Sequence, residues 1–286
     1  MRHIYLVLLF TALVASAQNE PQTLKMRVAT YNLRMDTSAD SMNAWSFRKD
    51  KMKALIQYHD FDIVGTQEGF HHQLLDLCEM PGYAYFGAGR DDGLTAGEHS
   101  AIIYKTDRFK ILESGNFWLS ETPDIPGKGW DATCCNRICS WVKFKELNSQ
   151  LEFYFFNVHF DHQGVVARQE SGKLMAKKIS EISSTVSVIC TGDFNSRPNT
   201  EQIKTMSSIM KDTYHFSKMP PYGPVGTFNT RFSNPITPNR IDYIFVCNDF
   251  EVLKYAVLTD SDNQWYPSDH LPVVTDLVLK ETKYNH

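Results

Sequence analysis

Short runs of apolar, β-prone residues recur along the chain, and polar turns separate them. This pattern is typical of a protein built mainly from strands. The runs predict eight strands, at residues 25–31, 63–66, 100–105, 138–144, 151–157, 186–191, 240–246 and 273–279.

Two other stretches carry apolar residues three and four positions apart, which predicts helices at 46–59 and 167–182. The buried face of the first would hold Phe47, Met52, Leu55 and Ile56. Many strands with few helices favour an α/β or α+β sandwich of two sheets with helices outside. No repeat or low-complexity linker interrupts the pattern, so one domain is expected at 25–283.

Polar residues follow several of these strands directly. In "VICTGDFNSRPNT", residues 188–200, a strand leads into Asp193 and Asn195. A single case would be an ordinary turn, because Gly, Asp and Asn are favoured there. The pattern recurs, however, at Asn32, Glu68, His159, Asp242, Asp269 and His270. Since an acid among apolar neighbours is costly unless it is compensated, acids from such distant segments indicate a shared compensator.

A divalent cation is the simplest shared compensator. The candidate ligands are carboxylate and amide oxygens without thiolates, and such ligands suit Mg²⁺, or Mn²⁺, better than zinc. His159 and His270 beside them would supply proton transfer and phosphate contacts. The pattern therefore predicts metal-assisted attack of water on a phosphate ester.

The ordered motifs TYN, QE, NVHF, GDFN, RIDYIF and SDH span nearly the whole chain. As a set they resemble the endonuclease/exonuclease/phosphatase superfamily, the metal-dependent phosphohydrolases related to deoxyribonuclease I. The resemblance implies a four-layer α/β/β/α sandwich, in which two mostly antiparallel β-sheets pack together between outer helices. It also implies an active site at one edge of the sheets. The pieces GDFNSRP, GTFNTRF and RIDYIF look most like the exonuclease and deadenylase-like branch and its bacterial relatives.

The resemblance also implies which residues hold the metal and the phosphate. Glu68 would be the principal Mg²⁺ ligand, with Asn32 and Asp269 close to the metal or to its water. Glu98, in "GEHSAIIY", occupies the place of a paired carboxylate. Arg137 matches a phosphate-contacting arginine of some relatives.

The same resemblance implies five catalytic residues. Asp193 would orient or deprotonate the attacking water, and Asn195 would contact the phosphate oxygens. His270 would bind the phosphate or activate water, and Asp242 would orient it. His159 would lie across the scissile group.

Three functions remain open. The expected one is a secreted Mg²⁺-dependent nuclease that hydrolyses phosphodiester bonds, similar to a 3′–5′ exonuclease. The alternative is a phosphatase or phosphodiesterase for small or lipid phosphoesters, such as a sugar phosphate, an inositol phosphate or a sphingomyelin-type lipid. Binding without turnover is disfavoured, because no acid or histidine of the motif set is missing. The segment "TPNRIDYI" also departs from the Pro-Ala-Trp-Cys-Asp-Arg motif of inositol polyphosphate phosphatases.

The first residues predict a secretory signal peptide, at 1–17. A basic start, an apolar stretch from Ile4 to Val14 and small residues at 15–17 precede Gln18, which indicates cleavage after Ala17. The apolar stretch is shorter than the roughly 20 residues that a membrane-spanning helix needs. A secreted or periplasmic protein, without a transmembrane anchor and monomeric, is therefore expected.

The charge balance argues against a protein that grips long duplex nucleic acid. The chain has 29 Lys and Arg against 33 Asp and Glu, a net charge of −4. Loss of Arg2 with the signal peptide leaves 28 − 33 = −5. Proteins that hold duplex backbones usually carry a basic excess, so short or single-stranded nucleic acid, or a small phosphoester, is the expected substrate.

The cysteines and three histidines fall outside the motif set. A disulfide, if one forms, is expected within the cluster of Cys134, Cys135 and Cys139, and its connectivity stays open. His71, His72 and His99 have no partner motif and are expected in solvent.

Overall fold

The computed structural model describes residues 22–281, which form two sheets of six strands each. The predicted signal peptide at 1–17 and residues 282–283 of the predicted domain lie outside the described residues. The strands are β1 (Thr23–Asn32), β2 (Ile63–Gly69), β3 (Tyr83–Phe86), β4 (His99–Lys105), β5 (Phe109–Trp118), β6 (Ile138–Glu146), β7 (Glu152–His159), β8 (Val188–Asp193), β9 (Lys211–Asp212), β10 (Asp242–Val246), β11 (Phe250–Val257) and β12 (Val273–Lys280).

Each sheet is antiparallel except for one central parallel pair. The strand order is β11-β12-β1-β2-β4-β3 in the first sheet and β5-β6-β7-β8-β10-β9 in the second. The parallel pairs are β1 with β2 and β7 with β8. Parallel neighbours end at the same edge of a sheet, so the carboxyl ends of each pair lie together.

Two helices cover the outer face of the first sheet and two cover that of the second. The helices of the described chain are a 3₁₀ helix (Ser38–Asn43), α1 (Trp45–Tyr58), α2 (His71–Cys78), α3 (Val165–Ser183), α4 (Glu201–Ile209) and α5 (Thr213–Phe216). Within the described residues, no helix combines the length and the apolarity needed to cross a bilayer.

Three large clusters of buried apolar side chains join the layers of the described chain. The cluster between the sheets includes Val28, Ile63, Phe155 and Ile244. The cluster under α1 and α2 includes Met52, Leu55, Leu74 and Val64. The cluster under α3 and α4 includes Met175, Ile179, Met206 and Phe156. Each fully buried side chain of this kind contributes about 1.5–3 kcal/mol. The predicted four-layer sandwich is confirmed.

The two helices predicted from sequence are present as α1 and α3, but one buried position was wrong. Phe47 is 59% exposed, whereas Trp45 and Arg48 lie on the buried face of α1. At 3.6 residues per turn, Trp45 and Arg48, seven and four positions before Met52, lie on the same face of the helix as Met52. Phe47, five positions before Met52, points away from that face. The prediction that His99 lies in solvent was also wrong, because this residue is 1% exposed.

Candidate active site

The strand ends bring the motif residues to one edge of the two sheets. Asn32 ends β1 beside the part of β2 that carries Glu68. In the second sheet, His159 at the end of β7 lies opposite Asp193 at the end of β8. Asp242 begins β10 on the other side of Asp193. The central parallel pairs therefore bring residues from distant segments of the sequence together at one edge of the sheets.

A backbone irregularity aims the Glu68 side chain. The pairing of β2 with β4 shifts register between Thr66 and Gly69, and Glu68 has a φ of 64°. Bulges redirect side chains at sheet edges, and positive φ in residues other than glycine is often found at functional sites. Nδ2 of Asn32 donates hydrogen bonds to Glu68 Oε1, at 2.9 Å, and to Asp193 Oδ2, at 3.1 Å. These bonds link the two sheets at the site.

The turn after β8 connects Asp193 with His159. Asn195, whose φ is 46°, donates its backbone N–H to Asp193 Oδ1 at 2.9 Å. Its Nδ2 lies 3.1 Å from His159 Nε2 and donates to the Phe160 carbonyl at 3.0 Å. Because an amide nitrogen only donates, His159 accepts at Nε2 and carries its proton on Nδ1. Burial lowers the pKa of His159 well below its ordinary value, and the positive charge of Arg137 lowers it further.

The pKa of His270 shifts in the opposite direction. Its Nδ1 lies 3.0 Å from Asp242 Oδ2, which also accepts a hydrogen bond from Thr227 Oγ1 at 2.6 Å. Its Nε2 lies 3.7 Å from Asp193 Oδ2. Burial alone would lower the pKa of His270, but the carboxylates of Asp242 and Asp193 raise it well above its ordinary value. The two carboxylates therefore favour the protonated form of this ring.

The SDH segment closes the site beside β1. Ser268 Oγ donates to the Asn32 carbonyl at 2.6 Å and accepts from the His270 backbone N–H at 3.2 Å. Asp269 lines the same pocket as Glu68, and its Oδ1 is buried without a hydrogen-bond partner in the described part of the chain. A buried carboxylate oxygen without a partner fits a cation, because leaving it uncompensated is costly.

Ligand groups also crowd around Glu68 in the same pocket, which supports a cation there. Ligand atoms of Glu68, His159 and Asp193 all lie within 4.8 Å of one another. Burial raises the pKa of Asp193 to about 7, with a further contribution from Asp242. Burial also raises the pKa of Asp269 to about 6. A divalent ion among these oxygens would keep the acids ionised, so the residues present fit a hard metal.

A second group of charged residues extends the pocket away from these acids. Arg90 Nη1 binds Glu98 Oε2 at 2.5 Å, and the same oxygen lies 3.9 Å from His159 Nδ1. Arg137 Nη2 lies 2.7 Å from His162 Nδ1, and its Nη1 is buried without an acceptor among residues 22–281. Burial raises the pKa of Glu98 to about 7. The free donor on Arg137 is suited to an anionic ligand.

The structure brings all ten predicted site residues together. The pocket, of about 420 Å³, is lined by Glu68, Glu98, Arg137, His159, Asp193, Asn195, Asp269 and His270, while Asn32 and Asp242 lie directly behind it. The sequence interpretation missed Arg90, which has no motif, and the hydroxyl of Thr227. Thr227 could have been identified from the sequence, because it lies in the segment GTFNTRF.

The cysteine cluster forms part of this pocket. Cys134 and Cys135 are joined by a disulfide between neighbouring residues, and both line the pocket. Cys139, the third member of the cluster, is a buried free thiol. The connectivity that the sequence left open is thus within the adjacent pair.

The fold and the site define a phosphoester hydrolase. The chain belongs to the Endonuclease/Exonuclease/phosphatase family, whose sequence profile matches residues 29–270. Members of this family are metal-dependent hydrolases of phosphoesters, so the chain is an enzyme that acts on ester bonds.

Two bacterial structures are similar over nearly their whole length. The chain is 44% identical to an endonuclease/exonuclease/phosphatase family protein from Bacteroides thetaiotaomicron, with a TM-score of 0.88 over 93% of this chain and 100% of that one. It is 46% identical to a mannosyl-6-phosphatase of Bacteroides thetaiotaomicron VPI-5482, with a TM-score of 0.84 over 88% and 99%. A CCR4-Not complex 3′–5′-exoribonuclease subunit, Ccr4 of Candida albicans, is 21% identical over 85% of this chain and 38% of that protein.

Proposed function

We propose that this chain is an exported, Mg²⁺-dependent phosphomonoesterase that releases phosphate from a small phosphorylated compound of the sugar-phosphate class. The observation that carries the proposal is the pocket of about 420 Å³, in which Arg90, Arg137 and the Cys134–Cys135 disulfide lie beside the acidic cluster. The 46% identity to a mannosyl-6-phosphatase supports the same substrate class.

The arginines of the pocket favour a short substrate. Arg34 is bound by Asp40 through two hydrogen bonds of 3.0 Å, and Arg90 is bound by Glu98. Proteins that bind a nucleic-acid strand need several free cations to follow its phosphates. Here all three arginines that line the pocket within the described residues are already paired with acids, since Arg137 Nε lies 3.5 Å from Asp161 Oδ2. Arg137, with its unused donor, suits a single phosphate group.

The metal would be held by oxygen ligands. Glu68 and Asp269 are the proposed Mg²⁺ ligands, with Asn32 beside them, because these groups suit Mg²⁺ better than a thiophilic metal. When bound, Mg²⁺ neutralises charge on the phosphoryl oxygens as the transition state forms. The hydrogen bond from Asn32 to Glu68 fixes the orientation of that carboxylate.

Proton transfer is proposed for the residues around Asp193. Asp193 is placed to orient and deprotonate the attacking water, since its carboxylate lies between the two histidines. The imidazolium of His270, supported by Asp242, stabilises the negative charge that develops on the phosphoryl oxygens. His159 lies across the scissile group, and Asn195 holds a phosphate oxygen.

A 3′–5′ exonuclease, the function expected from the sequence, is the second candidate. The relationship to the Ccr4 exoribonuclease subunit favours it.

Export of the protein is proposed from the predicted signal peptide at 1–17. Sequencing the N-terminus of protein recovered from the periplasm or the medium checks this proposal, and we expect it to begin at Gln18.

One assay distinguishes these functions. The chain from residue 18 onward, with Mg²⁺ or Mn²⁺, would be tested on hexose 6-phosphates, a generic phosphodiester, single-stranded DNA and RNA. We expect the highest kcat/KM on a hexose phosphate and loss of activity in chelator. A higher kcat/KM on RNA or DNA would favour the nuclease.

Metal dependence needs a matched pair of variants. Glu68→Gln removes a proposed ligand charge, and we expect it to raise the Mg²⁺ concentration for half-maximal activity by at least about tenfold while circular dichroism is unchanged. Glu201→Gln, at an exposed position of α4, is the control and should behave like the parent protein. Full activity in chelator would contradict the metal mechanism.

A further inference from the structure

A disulfide and an arginine extend the pocket beyond the groups that bind metal and phosphate. Glu98 lies next to His159, and Arg90 binds Glu98 on the side away from the acidic cluster. Asn136 Nδ2 then donates to the Arg90 carbonyl at 3.3 Å, directly after the Cys134–Cys135 pair. We propose that the Cys134–Cys135 disulfide and Arg90 form the subsite for the pyranose ring of the leaving group. This inference rests on the proposed phosphomonoesterase function.

The loop that carries the disulfide is fixed at both ends. At its start, Asp131 accepts backbone hydrogen bonds from Val166 and Ala167, at 3.1 and 2.6 Å, in the first turn of α3. At its end, Arg137 contacts His162 and continues into β6. The disulfide adds a covalent restraint between these anchors. Because this wall is already ordered, binding a rigid ring does not include the free-energy cost of ordering a flexible loop.

The surface of this wall suits a sugar ring. Two bonded sulfurs carry no charge and offer a polarisable, weakly hydrogen-bonding surface, and Cys134 is exposed while Cys135 is partly buried. A pyranose presents C–H groups on its faces and hydroxyls around its edge. The C–H face can therefore pack on the sulfurs while the edge hydroxyls meet polar groups.

Arg90 supplies the polar partner. Its side chain lines the pocket and is 13% exposed, and its Nη1 binds Glu98. A guanidinium has five N–H donors, so a ligand oxygen in the pocket can accept a hydrogen bond from an N–H that faces it. A sugar hydroxyl accepts such a bond.

A nucleobase would meet a different surface. Single-stranded nucleic acid is held mainly by stacking of bases on aromatic rings. The wall formed by Arg90 and Cys134–Cys135 offers sulfur instead, and the aromatic residue that lines the pocket, Phe228, packs against His270 with ring centroids 4.9 Å apart. The geometry therefore favours a hexose over a base as leaving group.

The test compares three substrates, two hexose phosphates and methyl phosphate, that share the phosphate but differ in the leaving group. The variant Cys134→Ser/Cys135→Ser and, separately, Arg90→Lys would be assayed on mannose 6-phosphate, glucose 6-phosphate and methyl phosphate at saturating Mg²⁺. For each variant we expect the ratio of kcat/KM for the better hexose phosphate to that for methyl phosphate to fall by about tenfold or more, mainly through KM. Cys78→Ser, a free cysteine in α2, is the control and should keep the parent ratio.

Each outcome decides a different point. A ratio that stays unchanged in both variants, or an equal loss on both substrates, overturns the subsite. A parent enzyme that hydrolyses methyl phosphate but rejects hexose phosphates overturns the subsite and leaves phosphomonoesterase activity intact. A parent enzyme that hydrolyses no phosphomonoester overturns the proposed function itself. Non-reducing peptide mapping should find Cys134 linked to Cys135, and free thiols at these two positions would contradict the proposal. If the double variant does not fold, the Arg90→Lys variant alone decides the test.

Discussion

Asp193 contacts a histidine on each side, and the pKa values of the two histidines shift in opposite directions. Its Oδ2 lies 3.5 Å from His159 Nε2 and 3.7 Å from His270 Nε2. Asp242 stands behind His270 and raises the pKa of that ring, whereas burial and the nearby Arg137 lower the pKa of His159. Opposite shifts in neighbouring titratable groups are typical of acid–base sites, because each group is held in the protonation state that its task requires.

This arrangement predicts unequal losses from three substitutions. Asp193→Asn removes the proposed base and His270→Ala removes the cation, so each should lower kcat by about 10²–10⁴-fold. Asp242→Asn should cost less, since it removes only orientation and charge support. The measurement is kcat at saturating Mg²⁺ and substrate, with Asp107→Asn, an exposed aspartate, as control. A near-normal kcat in Asp193→Asn would show that another group activates the water.

The sequence could identify acids but not all of their partners. Asp193 and Asp242 were found because each follows or begins an apolar run, where an acid needs compensation. Arg90, which binds Glu98, gave no comparable signal, and Thr227, which donates to Asp242, stood only within the segment GTFNTRF. A hydroxyl or an arginine in a polar loop is ordinary, and only the folded chain shows which carboxylate it reaches.

At the scale of elements, the sequence predicted interior strands and missed edge strands. Within residues 22–281, the eight predicted strands correspond to the eight interior strands of the two sheets. The four that were missed, β3, β5, β9 and β11, are the four sheet edges. Interior strands lie between a facing sheet and a helix layer, so both faces are apolar and the run is continuous. An edge strand is partly solvated: the middle of β5, from 110 to 116, is not buried.

Helix α1 contributes more than apolar packing, because it supplies a clamp behind the site. Arg48 is 3% exposed and donates to the carbonyls of Leu33 and Pro267, at 2.8 and 2.7 Å. The first carbonyl directly follows Asn32 in the chain, and the second lies two residues before Asp269. Arg48 therefore ties together the two loops that carry proposed metal-binding groups, and it is a positioning residue rather than a catalytic one.

Replacing this arginine should affect metal binding as well as stability. Arg48→Met leaves buried carbonyls without donors, and we expect a loss of about 1–3 kcal/mol in the free energy of unfolding. Because the two loops would separate, the Mg²⁺ concentration for half-maximal activity should rise more than KM for the phosphoester. Denaturant unfolding and Mg²⁺ titration measure the two effects, and Lys51→Met on the exposed side of α1 is the control. Lost stability with an unchanged Mg²⁺ requirement would reduce Arg48 to a structural role.

At the scale of the whole molecule, the site depends on how the two sheets are held against each other. Beneath it, Asn157 of the second sheet donates to the carbonyls of Thr66 and Ala101 in the first, at 2.7 and 2.8 Å. Gln67 in turn donates to Asn157 Oδ1 at 2.7 Å. Buried polar networks fix one arrangement of their partners, because any slip leaves groups unsatisfied. The distances between Glu68 on one sheet and Asp193 on the other are set by this network.

The charge of the whole molecule gives the last prediction, which concerns salt. Binding a polyanion releases counterions in proportion to the phosphates contacted, so affinity for a long strand falls steeply as salt rises. This chain has a net charge of −4, and the three arginines that line its pocket among residues 22–281 are already paired with acids. A single phosphate held by the metal site and Arg137 releases few counterions.

We therefore expect kcat/KM on a hexose phosphate to change by less than about threefold between roughly 50 and 200 mM salt. On oligonucleotides, kcat/KM should not grow as duplex length increases, because the arginines that line the pocket in the described part of the chain are already paired with acids. One enzyme preparation, assayed on substrates of increasing length at both salt concentrations, makes the comparison, with a constant free Mg²⁺ concentration as control. If efficiency climbed strongly with duplex length and collapsed at the higher salt, a nucleic acid would be tracked by surface cations outside the pocket, and the short-substrate function would be wrong.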